Sequence, residues 1–71
     1  MKTKTAYFLV EQLSPIFKKS PSIIRKLRVD EDNEDIEMIN MFNATLYRVN
    51  YSSRNMFQVT REITENAMML L

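Results

Sequence analysis

The chain of 71 residues has no glycine, no cysteine and no histidine. Each absence removes a class of chemistry. Without histidine and cysteine there is no imidazole general base, no thiol nucleophile and none of the usual zinc ligand sets. Without cysteine no disulfide can staple a chain this small, whose single core supplies only a few kcal/mol. Without glycine, phosphate-cradling loops, tight two-residue hairpins and glycine-terminated helices are disfavoured. Long apolar runs are lacking too. The first, Ala6 to Val10, is ended after five residues by Glu11, short of a secretory leader or a membrane span. These absences lead to the expectation of one cytosolic domain spanning residues 1–71, without membrane partner, metal, cofactor or small-molecule substrate.

What the chain does have is segregated charge. Residues 1–29 carry seven bases and one acid, a net +6; residues 30–37 carry six acids and no base, a net −6; residues 38–71 carry a net +1. Segregation on this scale is a statement about contacts rather than about fold. The candidate binding residues are therefore Lys18, Lys19, Arg25, Lys26 and Arg28 on the basic side and Asp30, Glu31, Asp32, Glu34 and Asp35 on the acidic side. Met68 and Leu71 join them, because the chain ends on apolar residues where a solvated tail would be polar. No catalytic residue is assigned.

Periodicity predicts helices. Ile36, Ile39, Phe42, Leu46 and Val49 recur at spacings of 3, 3, 4 and 3, a helical stripe. Six carboxylates precede or enter that stripe, which suits the positive end of a helix, with Asp32 or Asn33 as N-cap. Ala6, Leu9, Val10, Leu13, Ile16 and Phe17 share a second face, with a helix expected from about Thr5 to Leu13, a break or kink at Ser14-Pro15, and a short helical turn to Lys19. Ser20-Pro21 predicts a cap for a short helix from Ser22 to Arg28. Met56, Val59, Ile63, Ala67 and Leu70 form the face of a last helix, capped by Ser52 or Ser53. A competing reading sets Tyr47, Val49 and Tyr51 against Phe57 and Val59 as two strands around a Ser-Ser-Arg-Asn turn. The reading adopted is an all-α fold: a small bundle of three to four amphipathic helices, the last two an antiparallel helical hairpin.

The acidic run fails as a calcium loop. Asp30, Asp32 and Glu34 fall on ligand positions, but the sixth place is Asp35 instead of glycine and the twelfth is Met41 instead of glutamate. Paired carboxylates without a walled cleft do not make an enzyme. The opening Thr3-Lys4-Thr5-Ala6-Tyr7 resembles that of the small helical Hha/YmoA nucleoid regulators. The resemblance covers five residues and carries no residue role across. The functional expectation is a non-enzymatic protein-interaction module, a small regulator or inhibitor. It would bind a larger protein or further copies of itself, as a homo-oligomer, through apolar helix faces flanked by charge. The alternative is a small DNA-binding regulator that contacts phosphates through segment 18–28.

Overall fold

The computed structural model describes residues 1–19 and 23–70, the side chains of Lys18 and Lys19 excepted. It corrects the all-α expectation. The elements are α1 (Thr3–Lys19), β1 (Lys26–Asp30), β2 (Asp35–Ile39), β3 (Thr45–Asn50) and α2 (Met56–Leu70). The strands form an antiparallel meander in the order β1-β2-β3, so the fold is α+β.

The stripe read as a central helix is a hairpin. Ile36 and Met38 pair with Val49 and Tyr47 across β2 and β3, and Ile36, Met38 and Val49 are fully buried. These positions alternate by two within each strand, as one face of a sheet requires. The intervals Ile36–Ile39 and Leu46–Val49 lie within single strands, where Ile39 on the opposite face and Leu46 at a bulge add apolar residues out of the strand period; the intervals through Phe42 cross the turn. Phe42, counted on the stripe, is 82% exposed in that turn. The short helix assigned up to Arg28 is likewise β1 from Lys26 onward; the cap assigned at Ser20-Pro21 lies outside the described residues. The competing two-strand reading holds only in its first half. Tyr47 and Val49 lie in β3, whereas Phe57 and Val59 belong to α2.

A chain without glycine closes its turns with other residues. Glu34, Asn43 and Ser53 take positive φ values of 53°, 64° and 56°, one in each of the turns 31–34, 40–44 and 51–54. Asn tolerates this left-handed region, while Glu and Ser occupy it at a steric cost. The β2–β3 turn is braced by one side chain. The Asn40 Oδ1 accepts from the amides of Phe42 and Ala44, each at 2.9 Å, and the Asn43 amide donates to the Asn40 carbonyl at 3.0 Å. A bulge between Met38 and Ile39 leaves Leu46 without a register partner, and Leu46 packs against the core.

Both helices cover one face of the sheet. Ala6 and Leu9 from α1, Val59, Ile63 and Ala67 from α2, and Leu27, Ile36, Met38 and Val49 from the strands make a single cluster. The break expected at Ser14-Pro15 is absent. Pro15 sits inside α1, and the Ser14 hydroxyl donates to the Val10 carbonyl at 2.6 Å. Leu13 and Phe17 pack against the core on either side of it, which holds the helix through the missing backbone bond. The cap of α2 is Asn55, not Ser52 or Ser53. Asn55 Oδ1 accepts from the Gln58 amide and Gln58 Oε1 accepts from the Asn55 amide, both at 2.9 Å. This reciprocal pair is a capping box.

Candidate interaction surface

The face of the sheet away from the helices is ordered in cross-strand rows. The register aligns Lys26, Ile39 and Thr45; then Arg28, Glu37 and Arg48; then Asp30, Asp35 and Asn50. Residues directly opposite share a face, so charge changes sign along the strands. Lys26 and Asp30 stand about 13 Å apart at the usual strand rise.

The middle row is an ion-pair network. Glu37 is only 5% exposed and lies 3.2 Å from the Arg28 Nε and 3.4 Å from the Arg48 Nε. The Thr45 hydroxyl donates at 2.8 Å to Oε2, the oxygen that Arg48 also faces, while Arg28 meets Oε1. Burial pushes the Glu37 carboxyl up, but the hydrogen bonds from Thr45 and Arg28 and the charges of both arginines outweigh it, so its pKa is lowered. Two guanidinium groups against one carboxylate leave the row with one net positive charge.

The last row continues into the acidic turn. Asn33 donates to the Asp30 carboxylate through its side chain at 2.8 Å and its backbone at 3.3 Å, and these bonds lower the Asp30 pKa. Asn50 Nδ2 donates to the Asp35 carboxylate at 3.0 Å and to the Asn33 and Glu34 carbonyls at 3.1 Å. The acids do not cap a following helix, as the sequence suggested, because a strand follows them. They nevertheless stand at the end of the molecule where both helices begin. Thr3 shares a hydrogen bond with the Tyr51 hydroxyl at 2.7 Å, the Tyr51 amide donates to the Glu34 carbonyl at 2.9 Å, and α2 starts just beyond. Negative charge there complements the positive ends of two helix dipoles.

The Tyr7 phenol on α1 has its pKa raised by burial and by the neighbouring Glu31 carboxylate. An open groove of about 350 Å³ separates Tyr7 from the outer side of β1, between Arg28 and Asp32. Among the described residues no cluster of acids is arranged to hold a metal ion, and no helix is long and apolar enough to cross a membrane.

The opposite end is basic and apolar. Arg25 and Lys26 are exposed at the entry to β1, close in sequence to Lys18 and Lys19 at the end of α1. The Arg25 amide donates to the Ile39 carbonyl at 2.6 Å, which fixes that entry beside the β2–β3 turn. From the turn project Met41, 73% exposed, and Phe42, 82% exposed, and Ile23 is 52% exposed at the same end. A large apolar pair at a turn tip is unusual, and Asn40 braces the backbone of that tip with two hydrogen bonds.

The residues singled out from the sequence are thus only partly gathered. Arg28 meets Glu37, and Asp30 and Asp35 share a row, but Arg25 and Lys26 lie at the far end from Glu31, Asp32 and Glu34. Met68 is exposed near the end of α2, and Leu71 lies outside the described residues. Sequence reasoning missed Glu37, Thr45 and Arg48 as one network and Met41 and Phe42 as surface groups. The signal was present in Asn40 and Asn43, turn formers between two runs rich in β-branched and aromatic residues. Comparison with protein-family models, curated proteins and solved structures finds no match to this chain.

Proposed function

We propose that this protein is a non-catalytic protein-binding module whose contact point is the β2–β3 turn. The observation that carries the reading is the display of Met41 and Phe42 on a turn braced by the Asn40 side chain. An apolar pair on a braced backbone loses less conformational freedom on docking, which favours affinity. Arg25 and Lys26 beside it suit a partner pocket rimmed by carboxylates, where complementary charge sets the rate of encounter and the orientation.

The test places a photo-crosslinking phenylalanine analogue at position 42 in the native host cell. A second probe at the exposed Gln12 on α1 serves as control. The expected result is a discrete adduct from position 42 that is suppressed by excess unlabelled protein. Excess Phe42→Ser protein should compete at least about tenfold less well, as for loss of a central aromatic anchor. Equal labelling from both positions overturns the reading.

The alternative, DNA phosphate contact through segment 18–28, is supported by the exposure of Arg25 and Lys26 side by side at the entry to β1. Titration of duplex DNA at two salt concentrations decides it. Phosphate contact gives binding that falls steeply with salt, and no binding at low salt removes it.

A further inference from the structure

We infer that β1 is a self-complementary edge, and that two copies of this chain pair through it to double the sheet. The inference does not rest on the β2–β3 turn, which lies outside the contact.

The backbone sets which groups are free. The Tyr51 amide bonds the Glu34 carbonyl, so in the continuing register Ile36 and Met38 direct their amides and carbonyls toward β3, and Asp35, Glu37 and Ile39 direct theirs toward β1. The partners Asp30, Arg28 and Lys26 therefore face β2. The backbone groups of Leu27 and Val29 point away from it, with Leu27 5% exposed and Val29 half-buried, and among the described residues no strand lies on that side.

An unpaired edge is a template for another strand. The side chains decide which strand fits. Place a second β1 antiparallel on the first, with the two-fold axis at Arg28. Leu27 then lies opposite Val29 of the second copy, and each exchanges both backbone bonds with the other. Lys26 lies opposite Asp30 of the second copy, an ion pair at each end of the paired strands. Every one of these contacts occurs twice by symmetry. The sole like-charged pair, Arg28 with Arg28, is drawn apart because each guanidinium is held by its own Glu37. On the other face Leu27 and Val29 extend one apolar layer into the next, and all four helices lie on the same side. The groove runs beside the Arg28 to Asp32 half of this edge. The edge of β3 has no such pattern. Pairing it with itself about Arg48 sets like charges together with no acid within β3 to offset them.

A five-residue strand buries little area, so the association is expected on the order of 100 µM, at the weak end of specific interfaces. Sedimentation equilibrium on the full chain, from micromolar to millimolar at low and high salt, measures it. Wild-type mass should double with concentration and less so in salt. Lys26→Glu and Asp30→Lys should each weaken association about tenfold, and the double variant K26E/D30K should restore it. Hydrogen exchange should show the Leu27 and Val29 amides gaining protection on association while the Arg48 amide does not. Val29→Pro removes an outward-facing amide, a change tolerated at an edge, and should abolish association with the circular dichroism spectrum unchanged. A monomer at millimolar concentration in low salt overturns the inference. So does a dimer insensitive to both single reversals, or one that the double variant weakens further. If Phe42→Ser abolishes the dimer, the interface is the turn and not β1.

Discussion

At the residue scale the chain stores strain where glycine would relieve it. Glu34 holds a φ of 53° in the turn that joins β1 to β2, and a side chain in that region costs roughly 1–2 kcal/mol. Glu34→Gly is therefore expected to stabilise the fold by about 1 kcal/mol after the entropy of glycine in the unfolded chain is offset. In a domain this small that is a rise in Tm of about 4–8 °C by thermal unfolding. Asn43→Gly should change Tm little, because Asn already tolerates its φ. If the Glu34 variant melts lower, the turn is not strained. Glu37 carries the other residue-scale expectation. Its folded pKa lies below its unfolded value, so it binds fewer protons folded than unfolded. Its contribution to stability is present above the unfolded pKa and is lost as pH falls through the folded one. Glu37→Gln should cost about 1 kcal/mol at neutral pH, a figure reduced by solvent around the half-exposed arginines. It should also flatten the acid limb of a denaturation series between about pH 5 and 2. An unchanged acid limb would assign that limb to other carboxylates.

At the element scale, α2 was legible and the hairpin was not. Val59, Ile63 and Ala67 are buried on one stripe, as their spacing demanded, because an amphipathic helix against a sheet repeats its buried face every three to four residues. The cap was misplaced by two or three residues. Asn55→Ala should cost about 1 kcal/mol in urea unfolding, whereas Ser52→Ala should cost a few tenths at most; the reverse order would restore the serine as cap. The strands were misread for a physical reason. β2 is buried along Ile36, Glu37, Met38 and Ile39, with helices over one face and the Arg28, Arg48 and Thr45 side chains over the other. Asp35, Ile36, Glu37 and Met38 do alternate, but Ile39 ends the alternation after four residues, and the intervals Ile36–Ile39 and Leu46–Val49 match a helical period. Its register, and the bulge at Leu46, follow from pairing with distant residues.

At the scale of the whole molecule, the charge blocks become a direction. The chain extends 31 Å along its longest axis and 21 and 19 Å along the others. Within this shape the acidic turn stands at the end where both helices start, and Arg25 and Lys26 stand at the other. Among the described residues the basic segment 1–29 and the acidic segment 30–37 meet in only one ion pair, Arg28 with Glu37. Arg25 and Lys26 at one end and Glu31, Asp32 and Glu34 at the other are exposed; the proposed turn-tip contact would use Arg25 and Lys26, and the proposed β1 pairing would use Lys26 with Asp30. What the amino-acid order determined by itself was local: the absence of thiol and imidazole chemistry, the separation of charge, and the helical stripes of α1 and α2, each set by neighbours within a few residues. Only the tertiary structure decided that Ile36 and Val49 meet across a sheet, that Glu37 is enclosed by two arginines, and that Phe42 is left in water. Those outcomes depend on which strands pair, and strand pairing is a contact between residues far apart in the chain that no local period encodes.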